Sequence, residues 1–448
     1  MKMRSVTLAL LMVLAISSAR AATIRVPQDH ATIQGALTVA GNGDEVVVSP
    51  GVYNENLEFQ SVIVLRSTFD GHDWSIVENT VIKPSNYLPA VGNSFQLNGL
   101  LPTIRGFRIT RDPITVTGFG VSAMGINGDL NVEYNIIENQ VNVNPTSHGH
   151  VGGAIRNNLG GTIQNNIIRN NRADIGPALE GCTQGIIRNN VIYGNSAYAG
   201  DSIVESCSSN LINNTLYNNN NNIALGLCSG EIVNNIVWET NATPSYVPIG
   251  GSSTPSNCVL RAYSGPGTGN IDVDPQFVDP ANGDFHLQSG SPCIGKGAAR
   301  PDVKADFSGV QRGLKTSAVP GGAGATDIGA FEFVPKPVAV WLQDGAPDQI
   351  VEGQKLAVGW ALDLYQAGTA INLRLIRNGQ VIDDFGDFWN PAGVAIETIV
   401  LPAPLAWLGE YRIEGRCSYD TSQTFTSPPF AIQGTLPNAA RRGWAAYQ

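Results

Sequence analysis

Glu180 and Glu205 each stand two residues before a cysteine, Cys182 and Cys207, and a third cysteine, Cys228, follows with Gly226 two residues ahead of it. If the three cysteines mark one point in successive turns of a repeating chain, Glu180 lies opposite Glu205, with Arg156 one turn earlier and Gly226 one turn later. With Leu179 and Val204 pointing inward, the two-residue period of a strand sends Arg156, Glu180 and Glu205 outward as a column. Carboxylates stacked about 5 Å apart raise each other's pKa or bind a cation. That suits a general acid or a Ca²⁺-assisted proton abstraction, and an arginine beside them meets developing negative charge. Asp201 would extend such a site, as would Asp174 if its loop folds over. The same column also reads as a solvated face on which Arg156 offsets Glu180. His148 and His150, in "SHGHVGG", have a spacing open to a metal but common on decorated surface loops. Asp70, His72 and Asp73, in "FDGHDW", read as a turn before they read as catalysts.

The elements that must position this column announce themselves as a repeat. "TIQNNIIRNN" from Thr162, "IIRNNVIYGN" from Ile186, "LINNTLYNNN" from Leu211 and "EIVNNIVWET" from Glu231 share an asparagine pair between short β-branched runs, with a weaker copy, "NVEYNIIENQ", from Asn131. The second asparagines, Asn166, Asn190, Asn214 and Asn235, are spaced by 24, 24 and 21 residues. Such a period predicts a solenoid whose coils cannot bury a core alone. Asparagine is depleted in strands but tolerates left-handed backbone, so the doublet marks a tight corner between two strands. Stacked coils would set the amides in a ladder. Cys182, Cys207 and Cys228, 6 or 7 residues before each pair, would stack as well, either as a row of buried thiols, the reading adopted here, or as a bridged pair. Cys258 and Cys293 make a plausible separate disulfide, leaving Cys417 unpaired.

Fifty glycines, 14% charged residues and no long helical periodicity indicate an all-β chain. Residues Met1 to Ala21 carry Lys2, Arg4, an apolar run from Val6 to Ile16 and the small-residue site Ala19, Arg20, Ala21, the pattern of a secretory signal peptide. Its removal takes away three bases and no acid, shifting the net charge from −10 to −13. Nucleic acid is excluded as a partner at that charge, and no later segment is long enough to span a membrane. The mature protein is expected to be an exported monomer, secreted or at the cell surface.

Residues 22–334 read as a strand, a short helix around Thr32 to Val39 that covers the open solenoid end, the strand Glu45 to Ser49, coils to about Glu239, and a looser stretch from Thr240 to Asn270. There follow "GNIDVDPQFVDPANGDFHLQSGSPCIGKGA" and "TDIGAFEF". On these motifs the segment from about Thr23 to Phe333 resembles the right-handed parallel β-helix proteins of the pectin-lyase-like superfamily. Residues 335–433 change pattern: "PKPVAVWLQ", "KLAVGWAL", "INLRLIRNGQVI", "AIETIVLPA", "GEYRIEGRCS" and "FTSPPFAI" are strands at sandwich spacing. They resemble the Ig-like β-sandwich modules of Ser-Thr-rich anchored wall proteins, with no stalk or anchor in the tail, 434–448.

The first resemblance implies an exposed groove for an extended polysaccharide on one sheet, and the cysteine alignment offers Glu180, Glu205 and Arg156 as the residues to carry any reaction there. The "WIDH" string of Ca²⁺-dependent pectate lyases is absent, as is the polygalacturonase set. The primary expectation is therefore a β-helix protein that binds or organises extracellular polysaccharide. A polysaccharide lyase or glycoside hydrolase, with Ca²⁺ as the one cofactor suggested, and an adhesin are the alternatives. In the C-terminal module, Phe388 and Trp389 in the "DFGDFWNPAG" stretch, read as an exposed loop, form the aromatic pair expected to stack on sugar rings, beside Phe385; Trp341, Trp360 and Trp407 belong to the same module, Trp360 as core.

Overall fold

The computed structural model describes residues 21–333, apart from 72, 94, 96, 116–120, 199–201, 221, 241, 289, 311 and 313–325, together with the strands of a C-terminal module between 337 and 433. Residues 1–20, where the signal peptide is expected, and 434–448 lie outside the described residues.

Three long parallel sheets wind along 23–260 as a β-helix. Each coil gives one strand to each sheet. In the central coils these are Thr162–Gln164, Ile186–Arg188 and Asn210–Ile212 in the first sheet. Ile167–Arg169, Val191–Tyr193 and Thr215–Tyr217 follow in the second. Leu179–Glu180, Ser202–Glu205 and Ile223–Gly226 make up the third. Alternation fills the interior with columns of aliphatic residues one coil apart: Ile163, Ile187 and Leu211 in the first sheet, Ile168, Ile192 and Leu216 in the second, Leu179, Val204 and Leu225 in the third. All nine are at most 1% exposed and belong to one core. The helix Ile33–Val39, capped by Thr32, buries Ile33, Ala36 and Leu37 against the first coils. A second short helix, Trp74–Asn79, is capped by Asp73, so the aspartate of "FDGHDW" does turn-forming work.

The asparagine pairs divide their labour. The first member is left-handed: Asn165, Asn189, Asn213 and Asn234 have φ of 55°, 52°, 55° and 57°. The second forms the ladder. The amide oxygen of Asn190 accepts from both N–H groups of Asn166, backbone and side chain, at 3.0 Å, and the pattern repeats from Asn190 to Asn214 and from Asn214 to Asn235. Asn135 extends it by one coil, with Tyr134 (φ 54°) in the left-handed place. At the other end the Asn235 backbone N–H donates to the Cys258 sulfur at 3.3 Å, and the Cys258 N–H donates to Asn270. A second ladder of Asn171, Asn195 and Asn219 runs along the next corner.

Cys182, Cys207 and Cys228 are free, buried thiols in the core. Cys258 and Cys293 are also free: the first is a ladder rung and the second packs with Phe277 and Phe285, so the separate disulfide expected from sequence does not form.

The closing segment does not simply stack on the last coil. Its hairpin, Phe277–Asp279 with Asp284–Leu287, folds back over the outside of the second sheet, where Phe285 meets Tyr193 and Tyr217 at 5.1 and 5.3 Å. Asn189 and Asn213 use their outward amides to hold the backbone of Ala305, Asp327 and Gly329. Arg312 and Glu332, 3% and 4% exposed, pair at 2.7 Å beneath it.

The C-terminal module is a separate small domain of mostly antiparallel sheets. One contains Pro337–Leu342, Lys355–Leu362 and Val394–Val400, and the other includes Thr369–Arg377, Gln380–Asn390 and Glu410–Cys417. Among the described residues no helix is long and apolar enough to cross a membrane.

Candidate functional site

A cleft opens on the outer side of the third sheet. Its registers pair Arg156 with Glu180, Glu180 with Glu205, and Glu205 with Gly226. Leu179 and Val204 are fully buried, so the three charged residues lie on the outer face. Burial increases along the row: the side chains of Arg156 and Glu180 are 33% and 15% exposed, and Glu205 is 9% exposed. Arg156 Nε donates to Glu180 Oε2 at 3.0 Å. Glu205 accepts from the hydroxyls of Ser202 and, at 3.1 Å, Ser206. A methyl group added at Gly226 would collide with the Glu205 carboxylate, so glycine makes the room that this acid occupies. Glu180, Glu205 and Ser206 line a cleft of about 380 Å³, walled by Val151, Ile175 and Ile223.

This arrangement does not make a Ca²⁺ cage. Such a cage needs about six to eight oxygens, whereas here one carboxylate is engaged by an arginine and the other by two hydroxyls. Among the described residues no three His, Cys, Asp or Glu side chains cluster as metal ligands. What remains is a row of carboxylate oxygens and hydroxyls beside one guanidinium, suited to hydrogen-bonding hydroxyl groups.

The other candidates separate from it. Asp201 lies outside the described residues. Asp174 is fully buried and organises its own loop, accepting from the N–H groups of Asn144 and His150, so it does not reach over the cleft. His148 stacks on Tyr198 at 5.6 Å, while His150 contacts the Val121 carbonyl through Nδ1. Phe388 lies in the strand Gln380–Asn390, not in a loop, and packs against the module's core; that strand returns from Thr369–Arg377 through Asn378 and Gly379, both with positive φ. Trp389 is in the same strand, and its side chain is outside the described set.

Sequence reasoning missed Glu239. It follows the strand Ile236–Trp238 and caps the second ladder, its Oε1 accepting from the Asn219 N–H at 2.7 Å. Burial pushes its carboxyl up to about 8. With Tyr198, Asn220, Asn222 and Tyr246 it lines a cavity of about 570 Å³. The available signal was the coil shortened to 21 residues, with an acid arriving where the asparagine ladder ends.

Comparison with family models, curated proteins and solved structures finds no match to this chain.

Proposed function

We propose that the protein is exported and binds an extended, neutral polysaccharide along the outer face of its third sheet. The observation that carries this reading is the pair Glu180 and Glu205 lining an open cleft, with Arg156 bonded to Glu180 beside it, while the closing hairpin packs on the outer face of the second sheet. Coils spaced about 4.8 Å apart repeat hydrogen-bonding groups along an axis, as an extended chain of sugars requires. The row holds two acids and one base, and the whole chain carries −10, so a polyuronate is repelled where a neutral glycan is not. Export rests on the leader-like run with Lys2 and Arg4 ahead of Val6 to Ile16. The likeness of the closing motifs to the pectin-lyase-like β-helix proteins supports the same reading through the fold.

A second reading, glycoside hydrolysis, is favoured by the direct pairing of Glu180 with Glu205, because two neighbouring carboxyls are what that reaction uses. One experiment separates the outcomes: the full chain is tested against neutral and uronic-acid polysaccharides, with and without Ca²⁺. Retention on a neutral polymer without cleavage is expected. New reducing ends mean a hydrolase, an unsaturated-sugar absorbance means a lyase, and failure to retain any polymer overturns the proposal.

A further inference from the structure

The cavity around Glu239 lies at the corner between the second and third sheets, and its lining differs in kind from the Glu180 cleft. Asn222 lines this cavity and its neighbour Ile223 lines the cleft. Among the described residues its walls hold no lysine, arginine, histidine or cysteine, and Glu239 is the one carboxyl. That composition disfavours phosphate, sulfate and carboxylate ligands, which need cations, and metal ions, which need several hard or soft donors. A lipid is disfavoured too, because the exposed lining is largely amide and hydroxyl.

Several of these polar groups are unspent. The side chains of Asn220 and Asn222 are exposed and make no hydrogen bond among the described residues. Tyr246 is 6% exposed, and its buried hydroxyl has no hydrogen-bond partner among the described residues. Leaving such a group unpaired costs free energy that a ligand hydroxyl recovers. Tyr198, 40% exposed, closes one wall and is held in place by the Arg172 guanidinium 4.7 Å from its ring centroid and by the stacked ring of His148. From these features we infer that the cavity binds a single neutral, polyhydroxylated ring, a sugar residue, through Asn220, Asn222, Tyr246 and Glu239. Its volume of about 570 Å³ is in the range of small-molecule sites. Glu239 is the group that tunes it. Since burial pushes its carboxyl up to about 8, the side chain is protonated at neutral pH and donates to a sugar oxygen as well as accepting from Asn219.

This inference stands apart from the third-sheet groove and does not depend on it. Saturation-transfer NMR on the full chain at pH 6.5, with glucose, galactose, mannose and N-acetylglucosamine as neutral probes and galacturonate as the charged one, tests it directly. At least one neutral sugar should receive saturation and galacturonate should not. The surface change Asn220→Ala with Asn222→Ala should weaken that binding at least about tenfold, and Tyr246→Phe should weaken it further, while Arg156→Ala should leave it unaltered. Absence of binding by every neutral sugar overturns the proposal. So does binding that survives the double asparagine change but fails in Arg156→Ala, which would assign the sugar to the groove.

Discussion

At the scale of single residues, the asparagine doublet shows how two identical side chains carry different jobs. Asn189 supplies a left-handed backbone and an outward amide for Ala305, whereas Asn190 stays on the ladder with its amide inside. Replacing Asn190 by Val removes the acceptor for two N–H groups of Asn166 and the donor to Ile163 and Asn214. Orphaning those buried groups should cost on the order of 3 kcal/mol in denaturant unfolding. Asn189→Gly keeps the backbone conformation and should cost less than Asn189→Ala, which adds roughly 1 to 2 kcal/mol of left-handed strain. The cysteines give a second residue-scale test. Burial pushes Cys258 and Cys293 up to about 12, and Cys207 and Cys228 are raised as well, in their case through hydrogen bonding within the thiol row and through burial. These thiols should resist a thiol reagent in the native protein and react on unfolding, and reductant should leave the melting temperature unchanged.

At the scale of elements, the coils were legible because asparagine, cysteine and aliphatic residues recur together at 21 to 25 residues. The same alignment brought Arg156, Glu180 and Glu205 to one register column, since strand alternation leaves little freedom once the core positions are known. The path of the closing segment was not legible. It depends on outward amides of Asn165, Asn189 and Asn213 finding backbone carbonyls more than 100 residues away, and no local pattern encodes such a contact. Nor did local pattern distinguish the Phe388 strand from a loop, although the Asn378–Gly379 pair is a hairpin signal. Arg312 is the pin of the closing segment, reaching Glu332, Asn189, Gly329 and Ala330. Arg312→Met should cost about 3 to 5 kcal/mol, because it strands Glu332 as a buried charge. Calorimetry, with exposure of the Phe285 and Tyr217 cluster as a second readout, would check this.

At the scale of the whole molecule, a buried acid makes the stability of the β-helix depend on pH. Glu239 keeps its proton in the folded chain between 4.5 and about 8, a range in which the unfolded chain has released it. The folded state therefore binds more protons there, so this contribution to stability is full below that window and falls as pH rises through it. Glu239→Gln should flatten that slope in melts recorded between pH 5 and 9. The central claim is that the ligand face is the outer side of the third sheet. Hydrogen–deuterium exchange of the full chain, with and without the neutral polysaccharide that it retains, tests this most directly. Protection should appear in 155–156, 179–180, 202–206 and 223–227 and be absent from 277–287, which covers the second sheet. Protection confined to the C-terminal strands at 369–390, with the third sheet unchanged, would contradict the account and assign binding to the C-terminal module.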